Sequence, residues 1–301
     1  MSIPVALAGL VDDAAVFPPG NLPLDQALPA HRQHRAAGYA DLVGPFVVAD
    51  VRLPDLLEEV GDETGDDRGR LPVSVVVTGG AGALEGAVRW ATRSGLLDLR
   101  GVEIALRGSD TGELVHNARR VLTAVDAVVA AGELDDEVPV YVEPPRFRAG
   151  QPPHDWLAAL DEIASADLRL KFRTGGVDAD AFPSAAELAA SIDAALDREL
   201  PFKCTAGLHN ALRHTAADSG FEHHGFLNVL LATRAALDGA AADQLVAVLE
   251  EREGAALLSR WHEAGETGLG SARRWFRSFG SCSVDEPVED LVDLGLLPQL
   301  G

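Results

Sequence analysis

Lys171 and Lys203 are the only lysines in a 301-residue chain that carries twenty-three arginines. Each belongs to a short alternating apolar run: Leu168-Arg169-Leu170-Lys171-Phe172-Arg173 leads into Thr174-Gly175-Gly176, and Pro201-Phe202-Lys203-Cys204-Thr205 into Ala206-Gly207. Alternation closed by glycine is how a strand reads as it enters a loop. Arginine keeps its proton, whereas a lysine shielded from water can become a neutral amine and add to a carbonyl carbon. Lysine retained only at two strand ends therefore points to amine chemistry there. Lys171 is read as the amine that forms a carbinolamine and then an imine, with Lys203 and Arg173 as the neighbouring cations that lower its pKa. The imine would act as an electron sink while a C–C bond breaks. Glu103 would pass protons, and Glu143 would position a lysine, share the relay or simply pair with Arg173.

The elements that must position these groups alternate between short strands and helices, the pattern of βα units on a parallel sheet. Strands are expected at 5–12, 41–48, 72–78, 101–107, 138–143, 167–173 and 201–205, with helices at 24–36, 82–94, 113–131, 154–164 and 184–197. After Gly207 the run 225–231 can be a strand or a helix start; it is read as a helix to Leu237, followed by a second over 241–264. The last strand is then 275–280, with a terminal helix from about 287. The expected fold is α/β, a (β/α)8 TIM barrel formed by residues 1–301 as one domain, with an enlarged helical connection at 206–272 between strands seven and eight and a tail at 285–301. The tail would cover the site or dock on a neighbouring copy in a homo-oligomer.

Strand alternation sets the facing of side chains. Val102, Ile104 and Leu106 oppose Glu103, Ala105 and Arg107. Val138, Val140 and Val142 oppose Pro139, Tyr141 and Glu143, and Leu170 and Phe172 oppose Lys171 and Arg173. If the apolar faces meet the surrounding helices, the charged set points into the barrel, where charges need partners or a function. A buried salt-bridge lattice without chemistry is the plain alternative, disfavoured by its desolvation cost.

Arg107, Arg173 and the Ser281-Cys282-Ser283 turn before the last helix are expected to hold a carboxylate or phosphate on the substrate. Thr205 and His209, at and beyond the end of strand seven, are further candidates for substrate contact. His223-His224 reads as a surface pair capping a turn, Cys204 as packing and Cys282 as a mouth-side thiol. No residues at metal-ligand spacing stand out, and neither a metal nor another cofactor is expected.

A net charge of −22 disfavours nucleic acid and anionic lipid as partners. The N-terminal residues lack a basic start and an apolar run, and no stretch approaches eighteen apolar residues, so neither export nor a membrane span is indicated and a cytoplasmic location is expected. Two cysteines are too few for a disulfide framework. The acidic run 58–67 reads as a solvated loop.

On these residues the chain resembles the class I aldolases built on the same barrel, and among them the deoxyribose-phosphate aldolase family. Lys171 with Thr174-Gly175 resembles that family's Schiff-base lysine, Lys203 with Ala206-Gly207 its neighbouring lysine, and Glu103 its proton-relay acid. Glu143 resembles a strand-five glutamate, Asp12 or Asp13 a strand-one aspartate, and Phe279-Gly280-Ser281 a strand-eight turn. The resemblance implies a lyase acting on a small anionic carbonyl compound. The family's phosphate-holding segment after strand seven is replaced here by Ala206-Gly207-Leu208-His209-Asn210, which leaves the substrate open. A divalent-metal lyase or isomerase of the enolase kind is the competing enzyme reading, and a catalytically silent small-molecule-binding barrel is the third.

Overall fold

The alternation resolves into a closed ring of parallel strands in the computed structural model, which describes residues 3–62, 69–108, 113–148, 150–217 and 219–299. The strands are β1 (Val11–Asp13), β2 (Val43–Ala49), β3 (Leu71–Val77), β4 (Leu97–Ala105), β5 (Val140–Glu143), β6 (Arg169–Arg173), β7 (Phe202–Thr205) and β8 (Phe276–Ser281). Each pairs with its sequence neighbours, and β8 closes on β1. This is the expected (β/α)8 architecture. Helices α1 (Leu24–Ala36), α2 (Leu53–Asp62), α3 (Leu84–Arg93), α4 (Glu113–Ala130), α5 (His154–Ser165) and α6 (Ala185–Leu196) follow the first six strands. The seventh connection holds a hairpin, His214–Thr215 with Glu222–His223, and then α7 (Phe226–Leu237), α8 (Ala242–Glu250) and α9 (Gly254–Arg273); α10 (Asp285–Asp293) follows β8.

The outer faces of the strands meet the helices. Trp156 of α5 stacks on Phe172 of β6, Phe172 meets Phe202 of β7 at 5.3 Å, and Phe202 stacks on Phe276 of β8 at 5.6 Å between ring centroids. These rings bury large apolar areas and occupy the outward parity of β6 and β7, which commits Lys171 and Lys203 to the interior.

Several boundaries differ from expectation. Residues 5–12 do not form one strand: Val5–Leu7 is a 3-10 turn and β1 is only three residues long. The helix expected over 241–264 is two helices, broken where Glu251 leaves helical dihedrals, and beyond the expected end α9 kinks at Gly265 before continuing to Arg273. Glu58–Asp62 of the acidic run completes α2, while residues 63–68 lie outside those described. The tail packs on its own barrel: Val288 and Leu291 of α10 are buried, and Asp290 accepts a bond from the Ala211 amide at 2.6 Å. Among the described residues no helix is long and apolar enough to cross a membrane.

The loops after β6 and β7 approach closely at two glycines. A Cβ placed on Gly175 would stand 2.7 Å from the Gly207 Cα, and Gly207 itself has φ +73°. Thr174 donates through its hydroxyl to the Ala206 carbonyl at 2.5 Å and through its amide to the Thr205 carbonyl at 2.9 Å. Gly175→Ala is expected to force these loops apart at a cost of about 1–3 kcal/mol, read as a lowered urea midpoint.

Candidate active site

Inside the barrel, Lys171 and Lys203 are register partners on adjacent strands, and both are fully enclosed. Glu103 of β4 lies between them. Its Oε2 accepts from Lys171 Nζ at 2.9 Å, and its Oε1 accepts from Lys203 Nζ at 2.7 Å and from the Ser74 hydroxyl at 2.7 Å. Lys171 also meets Glu143 Oε2 at 3.0 Å, and the other oxygen of Glu143 takes Arg173 Nε at 2.8 Å. Lys203 reaches Asp12 Oδ2 at 2.5 Å, where the Ser278 hydroxyl donates at 2.7 Å. The chain of contacts runs Arg173, Glu143, Lys171, Glu103, Lys203, Asp12, with cation and carboxylate alternating along it. Arg173 is the one member about half exposed, at 47% of its side chain, so the chain runs from solvent at the C-terminal strand ends to the closed interior.

Local sequence choices make room for this cluster. Gly44 is required beside Asp12, because a Cβ there would stand 2.2 Å from Asp12 Oδ1. Register shifts in the β1–β2 and β7–β8 pairs change which side chains face inward, so that Ser278 points into the barrel although Phe276, two residues earlier, packs outside. The Tyr141 ring lies beneath Lys203, with Nζ 5.3 Å from its centroid, and its hydroxyl accepts from Arg169 at 3.3 Å.

Electrostatics follow from the contacts. Burial pushes the Glu103 carboxyl upward, but two adjacent ammonium groups outweigh it and hold the acid well below the usual carboxylate range. Glu143 is lowered for the same reason, by Lys171 and Arg173 against burial. At Asp12 burial wins over Lys203 and Ser278, and its carboxyl is raised. Both lysines are raised, since burial, which disfavours their charge, is overcome by two carboxylates each. The expected lowering of the Lys171 pKa by Lys203 is therefore absent in this resting arrangement. The carboxylate placed between the two cations reverses it.

The remaining candidates separate. Asp13 faces outward and binds His31 Nδ1 of α1 at 2.9 Å, which leaves Asp12 as the strand-one acid of the interior. Arg107 lies beyond the end of β4, exposed, and donates to the Thr78 carbonyl at 2.5 Å. The Ser281 hydroxyl donates to the Ser283 carbonyl at 2.6 Å, and Ser283 Oγ accepts from the Glu286 amide at 3.3 Å. These groups are engaged with separate partners, and no joint anion cradle of Arg107, Arg173 and the serine turn is assembled. Thr205 is half-buried at the end of β7, next to Gly280 of β8. His209 pairs with Glu286 at 3.0 Å, and its pKa is pushed up to about 9 because Cys282 and Glu286 outweigh burial. Cys204 is buried packing, its thiol pushed far up by desolvation. Among the described residues no group of three or more His, Cys, Asp and Glu is arranged to hold a metal ion.

His223 and His224 are not a surface pair. His224 is fully buried, accepting from Arg213 Nη1 at 3.1 Å through Nδ1 and donating to the Pro183 carbonyl at 2.9 Å through Nε2. Burial lowers its pKa from 6.5 to about 4. Between those values the unfolded chain takes up a proton that the folded one refuses, so stability present above about pH 6.5 is lost as pH falls toward 4. From pH 7 to pH 5 this residue is expected to contribute a loss of about 2 kcal/mol, measured as the difference in urea stability between wild type and His224→Gln.

No family model matches the sequence, and no curated protein matches it. The barrel agrees with the architecture that the aldolase resemblance implies.

Proposed function

We propose that this barrel is a carbon–carbon lyase of the class I aldolase kind, acting through an imine on Lys171 with a small carbonyl compound that carries a carboxylate or phosphate. The observation that carries the reading is the pair of enclosed lysines in register on adjacent strands, with one glutamate bonded to both. Buried charge at this density stabilises a fold little, and apolar side chains would fill the same space at no desolvation cost. A reaction that needs an amine, an acid and a second cation accounts for it.

Lys171 is the better nucleophile of the two, because Glu143, its second partner, borders the exposed end of the cluster, whereas Lys203 is closed in between Glu103 and Asp12. In the first step Lys171 yields a proton to Glu143, and the free Nζ adds to the carbonyl carbon. Loss of water gives the imine. The C–C bond then breaks with its electron pair entering the imine, while the β-hydroxyl proton passes to Glu103 through water. Lys203 stays protonated and opposes reprotonation of its neighbour, and proton return and hydrolysis release the second product. Arg173 and the His209 imidazolium stand at the mouth as cations for the substrate's anionic group.

The test is borohydride reduction in the presence of a panel of small aldehydes, ketones and keto acids, followed by peptide mass spectrometry. An adduct localised to Lys171, insensitive to chelators, is expected. Failure of every compound to label either lysine, or turnover that chelators abolish, would remove the proposal.

A further inference from the structure

A second cluster of reactive groups stands at the mouth, outside the lysine network. Cys282 is the first residue after β8, half-buried, and its Sγ lies 3.7 Å from Nδ1 and 3.9 Å from Nε2 of His209. His209 follows β7 by four residues, and its Nδ1 also meets Glu286 Oε2 at 3.0 Å and the Ser281 hydroxyl at 3.4 Å. Sulfur, imidazole and carboxylate thus come from three segments, the end of β8, the β7 connection and α10. The loop carrying Gly20 packs against the Cys282 backbone, so the thiol is held at the rim. A charged imidazole beside a cysteine stabilises the thiolate, which is the attacking form.

We propose that Cys282, assisted by His209 and Glu286, is a second nucleophile that captures small aldehydes reversibly at the barrel mouth. The choice of aldehyde as electrophile rests on the lyase reading above; the thiol–imidazole pair does not. In the step, the thiolate sulfur forms a bond to the carbonyl carbon, the C=O π pair moves to oxygen, and that oxygen takes the proton of the His209 imidazolium, giving a hemithioacetal. No oxidant or further reactant enters. Reversal frees the aldehyde beside the lysine chamber. The charged groups around the pair are Glu286 and Asp285 of α10, the latter 3.9 Å from His34 of α1, and His214 and His223 of the hairpin, whose charges act on Glu286.

The test measures iodoacetamide alkylation of Cys282 at pH 7 by peptide mass spectrometry, with buried Cys204 as the internal unreactive control. His209→Gln is expected to slow alkylation at least about fivefold, and Glu286→Gln, which changes only an exposed helix turn, to slow it in the same direction. A smaller effect of His209→Gln in a protein that still melts cooperatively overturns the pair. Glycolaldehyde in large excess is then added to Lys171→Met, which cannot form the imine. Protection of Cys282 by at least about twofold supports capture, and unchanged alkylation overturns it. Borohydride labelling of Lys171 in Cys282→Ala reports on the lyase reading separately.

Discussion

Glu103→Gln is expected to lower folding stability by about 3–5 kcal/mol and to leave a barrel that still binds carbonyl compounds but no longer turns them over. The amide keeps one acceptor oxygen but turns its NH2 toward one of the two ammonium groups, so a cluster bond is lost together with the central negative charge. Lys171 keeps Glu143 and Lys203 keeps Asp12, yet the two cations then face each other with no charge between them. Their pKa values fall, and Lys171 gives up its proton more easily. The variant should accumulate the borohydride-trapped imine at a pH where wild type forms it slowly, while release of the second product stalls for want of the proton relay. The pH dependence has a definite sign. Glu103 is held below the carboxylate range, so it stabilises the wild type above its unfolded value of 4.5, and that contribution is lost only as pH drops through the far lower folded value. Wild type and variant should therefore differ most at neutral pH and converge in strong acid, which denaturant titrations at several pH values would show. A variant as stable as wild type at pH 7 would mean that the glutamate bridges nothing.

Lys171→Met is expected to abolish the adduct and to cut turnover by at least about 10^4-fold, because the remaining amine, Lys203, is held protonated between Asp12 and Glu103. Methionine fills similar volume, so the loss is chemical more than steric. Lys171→Arg separates the readings further. It keeps the charge and both carboxylate partners, and a silent binding barrel would tolerate it, whereas an imine enzyme would be as inactive as with methionine. Lys203→Met should retain a trappable Lys171 but react more slowly, since the cation that opposes its reprotonation is gone. Steady-state rates alongside melting curves distinguish these outcomes from simple unfolding.

Strand parity was sufficient to find most of this chamber. Where a strand runs regularly, as in β5 and β6, the inward set Tyr141, Glu143, Lys171 and Arg173 follows from alternation with Val142, Leu170 and Phe172. Ser278 and Gly44 were invisible for the opposite reason: register shifts interrupt alternation in β8 and β2, and a side chain two residues from an outward phenylalanine ends up inside. Ser74 belongs to a strand of almost unbroken valine, whose pattern carries no facing signal until Gly101 opposite it is seen to leave space. The choice between Asp12 and Asp13 had no sequence solution, since it depends on His31 arriving from α1. His224 misled because burial suppresses its charge, and the contacts that enclose its ring, from Arg213 and from Pro183, are not written in its local sequence. The sign of the lysine shifts lay equally out of reach, because it turns on Glu103 standing between the two amines, a distance that no spacing encodes.

Enclosure of both lysines has a practical corollary. The outer wall of the folded protein offers acylating reagents no side-chain ammonium at all, its cationic surface being guanidinium and imidazole. A bulky N-hydroxysuccinimide ester, larger than the small carbonyl compounds proposed to reach Lys171, should leave the native side chains untouched and gain two sites only when the cylinder opens. Acylation at Lys171 and Lys203 would then serve as a clock for global opening.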